Sequence, residues 1–236
     1  MVNDNWYAVT DQSTIMTPAL LVYPERIDQN IEAMIQIARD AKRLFPHVKT
    51  YKMQAIVKKQ MAQGIQHFKC ATLGELEMLI QCGAAHILLA IQPTQEKALR
   101  FLAAQQAHPE IIFSTLIDNS DSLQLFSDLA KAANQTMNLW IDINNGMNRT
   151  GIVPQQAADL YMAVEKNPHL NAQGLHIYDG HIRPHPLEER IAKCNSDYEA
   201  VETLICEIQQ QGGTVPDQIT GGSPSFYPHA LRTNNK

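Results

Sequence analysis

Short apolar runs alternate with longer segments of helical periodicity along most of this sequence, beginning near Thr17. This alternation is typical of repeated βα units that build a parallel sheet. Eight runs have the length of strands: residues 19–23, 47–52, 67–71, 86–90, 111–118, 137–143, 172–178 and 218–221. Because eight parallel strands close a barrel, the pattern predicts an α/β fold of the (β/α)8 TIM type. Periodicity alone does not separate a closed barrel from an open doubly wound sheet, which stays the alternative.

The segments between the predicted strands carry helix signals of their own. Five apolar residues recur at the spacing of one helix face: Ile27, Ile31, Met34, Ile35 and Ala38. Thr72 and Glu75 have the spacing of a capping box at a helix start. Pro154 suits the first turn of another helix, where its missing N–H would be unpaired in any case.

Composition and charge favour one soluble domain with a small-molecule ligand. The 236 residues, 44% of them hydrophobic, match one α/β barrel of roughly 250 residues. We divide them into an N-terminal extension at 1–16, a barrel at 17–232 and a polar tail at 233–236. The net charge of -5 and the scattered basic residues argue against a nucleic-acid partner. No run is apolar enough for a signal peptide or a membrane span, so we expect no membrane partner and a cytoplasmic location. The four cysteines form no C-x-x-C pair and are predicted to be reduced.

The run Pro-His-Val-Lys-Thr-Tyr-Lys at 46–52 holds the first candidate for chemistry. Strand alternation predicts that His47, Lys49 and Tyr51 share one side of the strand. If Lys49 faces a barrel interior, the loss of hydration lowers its pKa, and a protonated His47 pushes the pKa the same way. A neutral amine is what Schiff-base chemistry requires. The alternative is that this strand faces solvent, or that Lys49 pairs with a carboxylate.

A Gly-Gly turn follows the last predicted strand, at the end where a barrel places its active site. The run Thr-Gly-Gly-Ser at 220–223 lets the backbone approach an anion closely. A short helix that starts within residues 224–227 would favour phosphate through its free N–H groups. The turn is therefore a candidate phosphate site.

Two further polar loops are predicted at the same rim. Arg149 lies in the loop after the sixth predicted strand and can donate to a ring nitrogen or a carboxylate. His176 and Tyr178 share a face of the seventh predicted strand and lead to Asp179 and His181, which are acid–base candidates. Each loop alone has an ordinary surface interpretation, so the prediction depends on their convergence.

Several runs resemble D-threonine aldolase-like proteins in their order and spacing. They are Thr-Pro-Ala-Leu at 17–20, the lysine run at 46–52, Ala-Thr-Leu-Gly-Glu at 71–75, Tyr-Asp-Gly-His at 178–181 and Ile-Thr-Gly-Gly-Ser-Pro-Ser-Phe at 219–226. Gly-Met-Asn-Arg-Thr-Gly at 146–151 is similar to the corresponding loop of alanine racemases, a sister group. The lysine run is the most specific of these motifs. The resemblance extends from about Thr17 to Arg232.

The resemblance implies a fold-type III pyridoxal 5′-phosphate (PLP) enzyme. In that family a barrel holds the cofactor and a β-rich C-terminal domain follows, usually in a dimer whose partner helps to close the site. The implied cofactor-binding residues are Lys49, which forms the internal aldimine, His47 beside it, Arg149 near the pyridine nitrogen, Tyr178 along the ring, and Gly221, Gly222 and Ser223 at the phosphate. An arginine at the ring nitrogen disfavours its protonation and tempers the electron sink. His181 is the candidate catalytic base.

The sequence departs from these relatives at the metal site. In the aldolases a His and an Asp of the C-terminal domain bind a divalent metal, and this chain is expected to stop before any such domain. None of its nine histidines has a recognisable metal-ligand spacing, since Pro184 and Pro186 argue against a helix that would align His181 with His185. We therefore assign no metal ligand to this chain.

The resemblance predicts a lyase that cleaves small D-3-hydroxyamino acids to glycine and an aldehyde. D-Serine dehydratase and amino-acid racemase activities, which use the same cofactor and break other bonds, stay open. A non-catalytic PLP-binding protein is the alternative from another class; the chain length favours it, but the motifs expected of that group are missing. A last alternative is a truncated chain that holds PLP without a complete site.

Overall fold

Six parallel strands form a half-barrel in the structure, a computed structural model that describes residues 6–183 and 186–232. The strands are His67–Cys70 (β1), His86–Leu89 (β2), Ile112–Ile117 (β3), Met137–Ile143 (β4), Leu170–Ile177 (β5) and Asp217–Thr220 (β6). Each strand pairs with the next one along the chain, in the order β1-β2-β3-β4-β5-β6. All the carboxyl ends of the strands therefore lie at one rim.

Helices alternate with these strands. They are Pro24–Ala38 (α1), Gln54–Ala62 (α2), Leu73–Cys82 (α3), Gln95–Ala107 (α4), Ser120–Ala132 (α5), Pro154–Glu165 (α6), Leu187–Gln210 (α7) and Phe226–Ala230 (α8). Three short 3-10 helices cover Gln12–Thr14, Ala41–Arg43 and Val48–Thr50. Among the described residues, no helix combines the length and apolarity that crossing a bilayer requires.

The α/β barrel-type fold is confirmed, with six of the eight predicted strands. The predicted strand at 19–23 is wrong, because these residues form no ladder and lie largely exposed, with Leu20 84% accessible. The predicted strand at 47–52 is also wrong, apart from one parallel bridge between His47 and Lys69. Its backbone bonds locally instead, since Tyr51 N and Lys52 N both donate to Val48 O. The predicted polar tail at 233–236 lies outside the described residues.

The helix signals are confirmed. On α1, Ile31 and Ala38 are buried, and the other three apolar residues of its predicted face pack against the core. Thr72 Oγ1 accepts a hydrogen bond from Glu75 N (3.1 Å), and the Glu75 carboxylate accepts one from Ala71 N (2.7 Å). Pro154 is the first residue of α6.

The sheet separates two apolar clusters. The large outer cluster lies between strands and helices, and it includes Phe68 and Cys70 of β1 and Ile87 and Leu89 of β2. The small inner cluster fills the concave side and consists of Phe45, Leu88, Leu116, Trp140 and Ile219. Because neighbouring side chains of a strand point to opposite faces, Lys69, which pairs in register with Leu88, belongs to the inner side.

Gly174 lets β5 and β6 approach each other closely. It pairs with Asp217 and has a φ of +139°, next to a register shift between β4 and β5 at Leu139 and Trp140. A Cβ atom built at this position would lie 1.9 Å from the carbonyl oxygen of Asp217. The side chain of any other residue would therefore force the two strands apart.

We predict that Gly174→Ala destabilises the fold by about 3 kcal/mol, through a strained backbone and an overpacked contact. Urea unfolding followed by circular dichroism measures the change. Gly74→Ala is the matched control, because a Cβ there meets no atom within 4 Å and the residue lies in α3. Equal stability of the two variants would contradict the close approach of β5 and β6.

Candidate functional site

A cavity of about 590 Å³ opens at the rim formed by the carboxyl ends of the strands. Its lining includes seven of the residues predicted from the sequence: His47, Lys49, Arg149, Tyr178, Gly221, Gly222 and Ser223. They come from four places in the fold: the 3-10 turn that His47 begins, the loop after β4, the end of β5 and the end of β6. The fold therefore brings together residues that are up to 176 positions apart in the sequence.

The charges that line this cavity are all positive among the residues described there. The charged side chains are Arg43, Lys49, Lys69 and Arg149, and no aspartate or glutamate belongs to the lining. Cationic side chains crowded into a partly enclosed space repel one another, and an anion that enters relieves the repulsion. The cavity therefore suits an anionic ligand.

Lys49 and Arg149 stand around the ring of Tyr178. The Lys49 Nζ atom lies 5.8 Å from the ring centroid, and the Arg149 Cζ atom lies 5.0 Å from it. Partial burial lowers the pKa of Lys49, and the charge of Arg149 lowers it further, against the opposing effect of Glu75. A lowered pKa makes the neutral, nucleophilic amine easier to reach than it is for an exposed lysine.

His47 supports the turn that carries Lys49. Its Nδ1 atom accepts a hydrogen bond from Lys49 N at 3.3 Å. Burial, followed by the charges of Lys49 and Lys69, lowers the pKa of His47 to about 3. The imidazole is therefore neutral, and the expectation that a protonated His47 helps to deprotonate Lys49 is not met.

Tyr51, which strand alternation places beside Lys49, lies elsewhere. Its hydroxyl donates to Gln60 Oε1 at 2.7 Å, and it is not part of the cavity lining. The 3-10 turn at Val48–Thr50 breaks the two-residue period of a strand, which is why the predicted shared side is wrong.

A second cavity, of about 230 Å³, adjoins the first and shares Lys49, Arg149, His176 and Tyr178 with it. Within it, His176 Nδ1 lies 2.7 Å from Asp142 Oδ1, and Gln92 Nε2 donates to Asp142 Oδ2 at 2.8 Å. Burial lowers the pKa of His176 despite this carboxylate. Burial raises the pKa of Asp142, but its hydrogen bonds with His176, Gln92 and Thr150 oppose this effect, and the net pKa is lowered. An ionised Asp142 accepts a hydrogen bond from Nδ1–H of a neutral His176. The Nε2 atom of the same ring can then accept a proton.

The Gly-Gly turn after β6 forms a cradle at the edge of the larger cavity. Gly221 has a φ of +96°, and a Cβ atom on Gly222 would lie 3.0 Å from Tyr178 Cε2. The buried Thr220 Oγ1 has no hydrogen-bond partner within the described part of the chain, although it lies in the cavity lining. A buried hydroxyl without a partner is costly, so an oxygen-rich ligand group at this place would satisfy it.

Asp179 fastens this turn to the end of β5. The fully buried carboxylate accepts hydrogen bonds from Ser225 Oγ and from His229 Nε2, the latter at 2.6 Å. Ser225 Oγ in turn accepts from Gly222 N at 2.9 Å. Asp179 is thus a structural clamp, and the acid–base role considered for it from the sequence finds no support here.

Cys194 lies beside Asp179 and His229. These three buried residues are the candidate metal-binding cluster within the described part of the chain, because their possible ligand atoms lie within 4.8 Å of one another. Both carboxylate oxygens of Asp179 are already occupied by Ser225 and His229. Burial raises the pKa of Cys194 to about 11, which keeps the thiol protonated. Hydrogen bonds therefore explain the group without a metal ion.

His181 is not brought to Lys49. It lines neither cavity, and its Nε2 atom lies 3.2 Å from Asp197 Oδ2. Its Nδ1 atom is buried and has no partner among the described residues. The catalytic role of His181 stays a prediction, and His185 lies outside the described residues.

Comparison with known proteins identifies a family and several relatives of this chain. The family model described as alanine racemase, N-terminal domain, matches residues 22–231. D-Threonine aldolase from Arthrobacter sp is 24% identical over 215 residues, which cover 87% of this chain and 54% of that protein. D-threo-3-hydroxyaspartate dehydratase from Delftia sp. (strain HT23) is 26% identical over 172 residues, which cover 72% of this chain and 42% of that protein.

A solved structure has the same fold over nearly the whole chain. The crystal structure of D-threonine aldolase from Filomicrobium marinum superposes with a TM-score of 0.81 at 25% identity, covering 94% of this chain and 61% of that one. This chain spans about half the length of the curated relatives that it matches.

We predict that Asp179→Asn lowers the free energy of unfolding at pH 7 by about 3 kcal/mol, because His229 loses a buried anionic acceptor. Burial raises the pKa of Asp179, but the hydrogen bonds from His229 and Ser225 outweigh it and hold the pKa below its usual value. This stabilisation is present above the unfolded pKa of about 4 and is lost as the pH falls through the folded value.

The difference between wild type and Asp179→Asn should therefore shrink below about pH 4, as measured by denaturant unfolding across pH. Asp159→Asn, on the exposed surface of α6, is the control and should change little. A stability difference that grows on acidification would contradict an ionised Asp179 in the folded state.

Proposed function

We propose that this chain, which belongs to the alanine racemase N-terminal domain family, binds PLP at Lys49 and acts as a lyase on D-3-hydroxyamino acids. The observation that carries the proposal is the cavity around Lys49, whose four cationic side chains face no carboxylate among the lining residues. PLP carries a phosphate and a phenol oxygen, and its amino-acid substrates add a carboxylate. The charge of the site suits this combination of anions.

The described residues fit the cofactor. Lys49 would hold it through its aldehyde carbon, since burial and the charge of Arg149 lower the pKa of this amine. The unpartnered hydroxyl of Thr220 and the turn formed by Gly221, Gly222 and Ser223 would hold the phosphate. Tyr178 would lie along the ring, and Arg149 would donate to the ring nitrogen. When bound, PLP supplies an electron sink for the charge left at Cα when a bond to it breaks.

His176 is the base that the geometry favours over the sequence-predicted His181. It lines both cavities next to Lys49, and Asp142 holds its Nδ1 proton, so that its Nε2 can accept the proton of a substrate hydroxyl. Loss of that proton lets the hydroxyl carbon become an aldehyde as the Cα–Cβ bond breaks. We assign no metal ligand within this chain.

The relatives support two outcomes for a D-3-hydroxyamino acid. Similarity to D-threonine aldolase favours cleavage to glycine and an aldehyde. Similarity to D-threo-3-hydroxyaspartate dehydratase, at 26% identity, favours elimination of water as the second candidate, after which water hydrolyses the resulting imine to an oxo acid and ammonia. Aldolase chemistry is the first choice, because the Arthrobacter enzyme matches a larger share of this chain.

The attachment of PLP to Lys49 is tested by reduction with borohydride followed by peptide mass mapping. We expect a visible absorbance band with the wild type and one added phosphopyridoxyl group on the peptide that contains Lys49. Lys49→Met should lose both signals, whereas Lys58→Met, at an exposed position of α2, should keep them. Attachment at another lysine, or an unchanged band in Lys49→Met, would refute the assignment.

The reaction is tested by incubating the PLP-loaded chain with D-threonine and with D-threo-3-hydroxyaspartate. A lyase gives glycine with acetaldehyde from the first and glycine with glyoxylate from the second, whereas a dehydratase gives oxaloacetate and ammonia from the second. His176→Gln should keep bound PLP and lower turnover by about 100-fold or more if His176 is the base. Bound PLP with no product from either substrate would leave cofactor binding in place and contradict the lyase proposal.

A further inference from the structure

Lys69 is a buried amine that adds to the positive charge of the cavity but has no individual role in the proposed function. It lies on β1 between Phe68 and Cys70, both of which point into the outer core. Strand alternation therefore turns Lys69 to the concave side, in register with Leu88 of the inner cluster. The residue is only 9% exposed and lies in the lining of the larger cavity, as Lys49 does.

The Lys69 Nζ atom has no hydrogen bond or ion pair with any residue that the structure describes. The titratable groups that influence it electrostatically come from the turn before β1, from β4 and β5, and from the loop after β5: His47, Lys49, Asp142, His176 and Asp179. Both carboxylates in this set already accept hydrogen bonds from other residues, Asp142 from Gln92 and Asp179 from Ser225. These two carboxylates thus have other donors and act on Lys69 through their charge.

Burying an ammonium group without a partner costs free energy, and this cost lowers the pKa of the amine. Burial, and then the charge of Lys49, lowers the pKa of Lys69 to about 8, while Asp142 and Asp179 oppose the shift. Replacement by an apolar side chain of similar length would remove the cost. A lysine at this position therefore serves stability poorly unless an anion joins it.

We propose that Lys69 binds an anionic oxygen of the ligand at the floor of the cavity, in addition to the Lys49 attachment. The inference rests on the proposed function for the identity of the ligand. The phosphate of PLP has its own cradle at residues 220–223, so two sources of the oxygen remain: the phenol oxygen of the cofactor and the carboxylate of the amino-acid substrate. Both offer the single oxyanion that a lysine ammonium can pair with at short range.

Binding of an anion at Lys69 is coupled to protonation. Without ligand the amine is about half protonated at pH 8, and an adjacent anion raises its pKa, so the complex takes up roughly 0.5 proton at this group. Calorimetric titration of PLP in two pH 8 buffers of different ionisation enthalpy measures this uptake directly. The readout does not depend on turnover.

We expect Lys69→Met to take up about 0.5 proton less than the wild type and to bind PLP, or PLP with substrate, about 10- to 100-fold more weakly. Lys69→Arg keeps a permanent charge, so it should also lack the proton uptake while its affinity stays within about threefold. Lys58→Met is the control and should match the wild type in both quantities. Without ligand, Lys69→Met should be at least as stable as the wild type, which a purely structural lysine would not permit.

The source of the oxyanion is identified by changing the ligand. If the cofactor supplies it, 3-deoxypyridoxal 5′-phosphate, which lacks the phenol oxygen, should show no difference between wild type and Lys69→Met. If the substrate supplies it, the difference should emerge only when glycine is added to the PLP-loaded proteins. Equal proton uptake, or equal affinity, in wild type and Lys69→Met with every ligand would overturn the inference.

Failure of the proposed function gives a different result. A wild type that binds no PLP refutes that function, and inorganic phosphate then becomes the probe for Lys69. Phosphate binding with a proton uptake that Lys69→Met lacks would support Lys69 as an anion-binding residue, and its absence would overturn that role. Normal PLP attachment at Lys49 with unchanged titrations of Lys69→Met would overturn the Lys69 inference alone.

Discussion

Parallel pairing of six consecutive strands is the constraint on which the rest of this structure depends. Because every strand runs the same way, the loops after β4, β5 and β6 open at one rim, and residues that are distant in sequence meet there. The pairing requires close backbone contact where Gly174 meets Asp217. The same alternation that points Phe68 outward turns Lys69 inward, so the sheet determines both the core and the charge of the cavity.

Two kinds of charged groups occur in the site: carboxylates that stabilise the fold through hydrogen bonds, and cationic side chains that are suited to bind a ligand. Asp142 and Asp179 are ionised and buried, and both are satisfied by donors from neighbouring elements, among them His176 and His229. These carboxylates stiffen the rim, and neither of them belongs to the lining of the larger cavity. The lining of the larger cavity thus carries lysine and arginine side chains and no carboxylate among the described residues, and this excess of positive charge, more than any single residue, indicates the chemistry of the ligand.

The sequence predicts the barrel units and the rim loops because both depend on periodicity and on turn residues, which are local properties. It fails at residues 47–52, where bonds to Val48 O form a 3-10 turn that apolar alternation does not reveal. It also fails to place His181, whose partner Asp197 lies on α7 and is known only from tertiary structure. Lys69 had a local signal, a lysine between two apolar residues of a strand, but its isolation from carboxylates becomes visible only in three dimensions.

Two relatives of this chain are named for different reactions on similar substrates, a retro-aldol cleavage and a dehydration. A lysine that holds the cofactor and a loop that holds its phosphate serve both reactions equally, so they cannot decide between them. The decision falls to the groups that orient the bonds at Cα and move protons near Cβ. In this barrel two candidates for such groups line the cavity, His176 from β5 and Lys69 from β1. If Lys69 pairs with the substrate carboxylate, it determines which Cα bond lies across the cofactor ring. Lys69 would then select the reaction, and His176 would complete it by moving the proton.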